Sequence, residues 1–158
     1  MSGREQQAKA SLRLLVDEAV DDPRPYIQLG LLLEGSEELS DAADLYYSAV
    51  KRGHHATQII YRLGTVLRQL GRLDEAEASL RQAIGLNPDL AEACNNLGVT
   101  LKELSRLEEA EVSYIKAIEL KSDYVEAHSN LGNTLLDLRR FHEAEASYSK
   151  AIVLKPNY

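Results

Sequence analysis

A single cysteine, Cys94, excludes an intrachain disulfide and with it the stapled frameworks of small secreted domains. Tryptophan is absent and aromatics make up only 6% of the residues, a composition suited to small units that each pack on a neighbour. No run of 18 apolar residues occurs, and the opening stretch MSGREQQAKASLRLLVDEAV lacks the unbroken apolar core of a signal peptide. The expectation is a soluble cytoplasmic protein with no membrane partner. Positive charge is in deficit, 18 Lys and Arg against 25 Asp and Glu, for a net charge of −7. Such a chain gains little from counterion release, which argues against a nucleic-acid partner. There is no Gly-x-Gly-x-x-Gly, no phosphate loop ending in Gly-Lys-Ser/Thr and no nucleophile elbow.

What the chain does have is itself, several times over. The segment AEACNNLGVTLKELSRLEEAEVSYIKAIELKSDY, residues 91–124, recurs 34 residues later as VEAHSNLGNTLLDLRRFHEAEASYSKAIVLKPNY. It also recurs 34 residues earlier as TQIIYRLGTVLRQLGRLDEAEASLRQAIGLNPDL, with a looser copy from Pro23. Leu-Gly returns at Leu29-Gly30, Leu63-Gly64, Leu97-Gly98 and Leu131-Gly132, each followed by a leucine three residues past the glycine. One alanine column runs through Ala42, Ala76, Ala110 and Ala144. It is followed by Tyr46, Leu80, Tyr114 and Tyr148, and then by Ala49, Ala83, Ala117 and Ala151. Self-similarity at this period signals stacked supersecondary units, not one globular core.

This column pattern resembles the tetratricopeptide repeat, with its Leu-Gly, Ala, aromatic, Ala and closing Pro, over residues 23–158. The resemblance implies an all-α, right-handed α-solenoid of four helical hairpins. The hairpins are residues 23–56 (the most divergent), 57–90, 91–124 and 125–158, preceded by an N-terminal capping helix within 1–22. Helices are expected near 4–20, 25–34, 38–52, 57–70, 73–86, 91–104, 107–120, 125–138 and 141–154. The capping helix is expected to rest on an apolar stripe of Ala8, Leu12, Leu15 and Val16, with Ser2 and Glu5 spaced as a capping box. Asp89 with Glu92, and Asp123 with Glu126, are expected to cap the later first helices in the same way. Cys94, in the family's aromatic column with Tyr26, Ile60 and His128, reads as a small buried hydrophobe.

Several near misses of catalytic chemistry fail on inspection. His142-Glu143 begins like a zinc-protease helix, but Ala146 stands where the second histidine is needed. Ser113 with Lys116 and Ser147 with Lys150 both fit Ser-x-x-Lys, yet they lie one repeat apart and are a single repeated feature. His54-His55 reads as a solvated turn. The expectation is a chain that is not an enzyme and takes no cofactor or metal.

In the resembling family the first helix of each hairpin lines a concave groove. Carried onto this sequence, the groove residues are Arg24, Gln28, Tyr61, Arg62, Thr65 and Arg68 in the first half, and Asn95, Asn96, Lys102, Asn130 and Asn133 in the second. The column Gln28, Arg62, Asn96, Asn130 is similar to the asparagine ladder of O-linked N-acetylglucosamine transferases, whose amides meet a peptide backbone regardless of sequence. The chaperone-tail clamp of other repeat proteins is missing, because Ile27 and Leu31 stand where its Lys and Asn belong. Arg24, Arg62 and Arg68 make the first half of the groove basic by sequence. Glu92, Glu103, Glu126 and Asp137 make the second half acidic, opposed by Lys102.

The function read from this is a non-catalytic protein-interaction scaffold that binds an extended peptide segment. Alternatives are the substrate-presenting N-terminal region of a larger glycosyltransferase or sulfotransferase, or a self-assembly module. The last rests on the final helix, whose Tyr148, Ile152 and Leu154 are expected to meet another copy, most simply as a homodimer.

Overall fold

A computed structural model describes residues 3–18 and 22–155. Nine helices and no strand occur among the described residues. They are α1 (Gly3–Glu18), α2 (Arg24–Gly35), α3 (Leu39–Lys51), α4 (Thr57–Gln69), α5 (Leu73–Leu86), α6 (Ala91–Glu103), α7 (Leu107–Leu120), α8 (Val125–Asp137) and α9 (Phe141–Leu154). The chain divides into two compact units, residues 1–83 and 84–158. In the first, α1 packs on α2, α2 on α3 and α3 on α4; in the second, α6 packs on α7, α7 on α8 and α8 on α9. Ser2, Val20, Pro156 and Tyr158, which carry expectations about caps and ends, lie outside the described residues.

The turn inside each hairpin is the same device four times. Glu37, Gly71, Ser105 and Arg139 all take a left-handed backbone, with φ of 61°, 74°, 62° and 61°. The following residue then folds its N–H back onto the leucine of the repeat: Glu38 to Leu33 O, Arg72 to Leu67 O, Arg106 to Leu101 O and Arg140 to Leu135 O, at 2.8 to 2.9 Å. This six-to-one bond ends one helix and aims the next, and it needs the left-handed residue just before it. Only Gly71 adopts that conformation without strain; a side-chain-bearing residue there costs about 1–2 kcal/mol.

Each hairpin closes on a glycine. A Cβ placed on Gly98 would lie 2.6 Å from Tyr114 Cε1, and one on Gly132 would lie 2.8 Å from Tyr148 Cε1. Leu80 fills the same seat over Gly64, and the Tyr46 ring fills it over Gly30. The Leu-Gly column and the aromatic column, sixteen residues apart in sequence, are therefore one contact. The alanines Ala42, Ala76, Ala110 and Ala144 are fully buried beside it.

The N-terminal helix packs with part of the expected stripe: Leu12 and Val16 reach the core, while Ala8 and Leu15 do not. Val16 is buried, but Leu15 is 49% exposed and Ala8 is also exposed. In their place stands Lys9, only 3% exposed. Its ammonium donates to Ser36 Oγ at 2.6 Å and to Glu38 Oε1 at 2.7 Å, and it pairs with Glu5 at 2.9 Å. A buried ammonium is tolerated only with such partners, here three oxygens. The far end is held by Arg52, whose guanidinium donates to Val16 O at 3.2 Å and to the Tyr26 hydroxyl at 2.9 Å.

The expected aspartate caps are also not formed. Leu90 and Tyr124 occupy the N-cap positions of α6 and α8, with no side-chain bond to the helix. Asp89 sits one residue too early, in a turn where its N–H donates to Asn87 Oδ1 at 3.2 Å and its carbonyl accepts from Ala91 N–H at 3.1 Å. Asp123 likewise precedes its N-cap by one residue.

Candidate peptide-binding faces

The first helices of neighbouring hairpins, α2 with α4 and α6 with α8, touch within each unit. They carry the expected groove residues.

In the first unit two of the three groove arginines are already engaged. Arg24, at the start of α2, binds Asp22 through its backbone N–H at 3.0 Å and its guanidinium at 2.8 Å. Arg62 pairs with Glu34 at 3.2 Å, and the other oxygen of that carboxylate accepts the Tyr46 hydroxyl at 2.7 Å. Burial and the adjacent Glu34 carboxylate raise the Tyr46 phenol far above its ordinary range, so it stays a donor. Thr65 donates to Tyr61 O at 3.0 Å, inside its own helix. Gln28 is exposed, and Tyr61 and Arg68 are half-buried. Two of the three arginines expected to make this half-groove basic are thus paired, Arg24 with Asp22 just before its own helix and Arg62 with Glu34 of the preceding hairpin.

In the second unit Asn95 is not at the surface: it is 6% exposed, and its Oδ1 accepts from Asn130 Nδ2 at 3.1 Å. Asn96 is half-buried beside it. Asn133 is exposed, and its Oδ1 accepts the Tyr148 hydroxyl at 2.6 Å. Two amides one turn apart on α8, the ladder residue Asn130 and its neighbour Asn133, are therefore each held by one protein partner. Asn130 has a carbonyl left over, and Asn133 has its amino group. Lys102 pairs with Asp137 at 3.0 Å, so the lone cation of this face is engaged as well. The sequence alone did not reveal that Tyr148 orients Asn133 or that Tyr46 orients Glu34. The signal was the tyrosine column itself, whose hydroxyls must find acceptors near the glycine they cover.

The serines of the two Ser-x-x-Lys matches are engaged by their own helices. Ser113 donates to Glu109 O at 2.9 Å and Ser147 to Glu143 O at 3.1 Å, each one turn back in its own helix. His54 is a correction: only 8% exposed, it leans on the Tyr26 ring at 5.1 Å and 46° instead of standing in solvent. Cys94 is 3% exposed, and burial pushes its thiol up from the ordinary range, the opposite of what a reactive cysteine needs. Among the described residues no three His, Cys, Asp or Glu side chains converge as a metal site, and no helix is long and apolar enough to cross a membrane.

A family model for the TPR repeat matches residues 64–105 and 100–138, and the tetratricopeptide repeat model matches residues 125–158. The chain belongs to the tetratricopeptide repeat family. No curated protein matches it. Among solved structures, a crystal structure of MamA superimposes with a TM-score of 0.90 at 20% identity, covering 98% of this chain and 90% of that one. MamA from Desulfovibrio magneticus RS-1 gives 0.89 at 22%, covering 98% and 87%. YrrB, described as a TPR protein with an unusual peptide-binding site, gives 0.84 at 24%, covering 98% and 80%. At these identities the likeness is one of fold. For a tetratricopeptide repeat chain, Gly98 opposite Tyr114 and the left-handed turn at Ser105 are the physical content of the family pattern.

Proposed function

We propose that this chain is a non-catalytic protein-interaction scaffold that takes an extended peptide segment on the α6–α8 face of its second unit. The observation that carries the reading is the pair of half-engaged amides. Asn130 keeps an acceptor and Asn133 keeps a donor, one turn apart, each held by one protein partner. An extended backbone alternates the complementary groups, so such a pair holds a peptide without reading its sequence. Asn96 and Lys102 extend the face along α6; Arg24, Gln28, Tyr61, Arg62, Thr65 and Arg68 belong to a separate face of the first unit, where two of the three arginines are paired. The solved relative in fold, YrrB, is described as having a peptide-binding site, which supports a peptide as the ligand class. To test this, peptides selected from a random display library on the intact protein are titrated against Asn130→Ala/Asn133→Ala. The double variant should weaken binding at least about tenfold at an unchanged melting temperature. Undiminished binding refutes the assignment.

Self-association is a second reading, favoured by one observation: Phe141, Ile152 and Val153 on α9 are 62%, 56% and 74% exposed. Ile152, with the half-buried Tyr148 and Leu154 beside it, offers an apolar edge to another copy. Sedimentation equilibrium of the parent and Ile152→Glu tests it. A monomeric parent at high concentration removes this reading.

A further inference from the structure

Two furrows in the molecule are built alike. In the first unit α1, α2 and α3 line a cavity of about 370 Å³, floored by Val16, Leu29, Leu33 and Leu45. In the second unit α7, α8 and α9 line one of about 340 Å³, whose Ile118, Leu131 and Ala146 stand three repeat lengths on from Val16, Leu29 and Asp44. The furrow is thus a product of the repeat. Its charge is not. The second carries Glu119 and Lys150, and Glu119 is paired with Lys116 at 3.3 Å. The first is rimmed by Asp17, Asp41 and Asp44 against Arg13 alone, which leaves two net negative charges.

The rim aspartates share their exposed, unbonded state with other surface carboxylates such as Glu37, Asp74 and Glu145; what sets them apart is the apolar floor they surround. Glu34, Glu75 and Glu111 are each matched to an arginine, whereas Asp17, Asp41 and Asp44 are exposed and form no hydrogen bond or ion pair with a described residue. Asp41 has a local reason to be there, since it lies in the first turn of α3 and faces the positive helix end. Asp17 has the opposite: it lies in the last turn of α1, which holds no basic residue, so the helix itself disfavours its charge. Asp44, in the middle of α3, gains nothing from either helix end but is attracted at longer range to the Arg72 guanidinium. The fold therefore accounts for the apolar floor, for Asp41 and in part for Asp44, but not for Asp17.

We propose that the α1–α2–α3 furrow is a docking site for a basic protein segment that lays one aliphatic side chain on the floor between Lys or Arg residues. The apolar floor excludes water from the aliphatic group, and the acidic rim selects and steers the cationic flanks, with a strength that falls as salt rises. The site uses none of the residues of the α6–α8 face.

The test uses the full chain and three labelled peptides, Lys-Lys-Leu-Lys-Lys, Lys-Lys-Ser-Lys-Lys and Glu-Glu-Leu-Glu-Glu, in fluorescence anisotropy at low salt. Asp17→Asn/Asp44→Asn is the variant, with Asp41 kept because it also serves the start of α3, and Glu119→Gln is the control in the other furrow. The basic leucine peptide should bind, the acidic one should not, and the serine peptide should bind at least about fivefold more weakly than the leucine one. The double variant should raise Kd about tenfold at an unchanged melting temperature, and the control should stay within about twofold. No binding by the basic leucine peptide overturns the proposal. So does equal binding by the double variant, by the serine peptide, or an equal loss in the control.

Discussion

Replacing Gly98 with alanine isolates the contact on which each hairpin closes. In an open helix the change would stabilise, since alanine is favoured over glycine by about 1 kcal/mol in a helix interior. Here the new methyl would lie 2.6, 2.8 and 2.9 Å from three ring atoms of Tyr114, a side chain only 1% exposed. The ring cannot turn away from all three contacts, so α6 and α7 must part. Overpacking of this kind costs about 1–3 kcal/mol. Taking the upper part of that range because the obstacle is a rigid buried ring, and subtracting the helix gain, leaves a net loss of about 1–2 kcal/mol. Gly85→Ala is the internal control. It lies in α5 with nothing within 4 Å of its new methyl, and it should gain about 0.5–1 kcal/mol. Urea denaturation followed by far-UV circular dichroism gives both midpoints, provided the slope is unchanged. If Gly98→Ala is as stable as Gly85→Ala, the glycine–ring account of the hairpin is wrong.

Three further outcomes are expected. Ala110→Leu, at a fully buried position on α7, should lower stability by about 1–3 kcal/mol in the same assay, and an unchanged midpoint would contradict the alanine column. The Arg72 guanidinium and the Tyr47 hydroxyl hold Glu75 down to about 2 from its ordinary 4.5. Its contribution is therefore complete above about pH 4.5 and lost as pH falls toward 2, so Glu75→Gln should flatten the acid limb of a stability-against-pH curve. Lys9→Met removes the ammonium that joins Glu5, Ser36 and Glu38, and should speed amide exchange throughout α1 while α3 keeps its protection; unchanged exchange in α1 would show that the apolar contacts alone hold it.

The helices were legible because the repeat supplies four readings of every boundary. The expected spans for α5, α7 and α9 agree with the structure at both ends, and the turn at Ser105 separates two helices as anticipated. Side-chain partners were less legible. Periodicity places Ala8, Leu12, Leu15 and Val16 on an apolar stripe of α1; Leu12 and Val16 do pack on the core, but the buried ammonium of Lys9 stands beside them in the place expected of Ala8 and Leu15. The charge of the Arg62 column could be counted from sequence, yet Glu34 comes from the preceding hairpin, 28 residues away, and no local pattern announces the pairing. Asn95 and Asn130 look equivalent as groove amides. Only the packing of α8 on α6 decides that one is buried as the other's acceptor.

The left-handed turns bear on how the chain folds. Each turn bond and each glycine–ring contact joins residues within a single hairpin, so closing it requires only a short loop. A chain built from such contacts has low contact order and folds fast, and more than one hairpin can act as the nucleus. Refolding should therefore tolerate damage to any one hairpin kinetically: when its turn fails, another begins the process, and the lesion appears mainly in the unfolding rate.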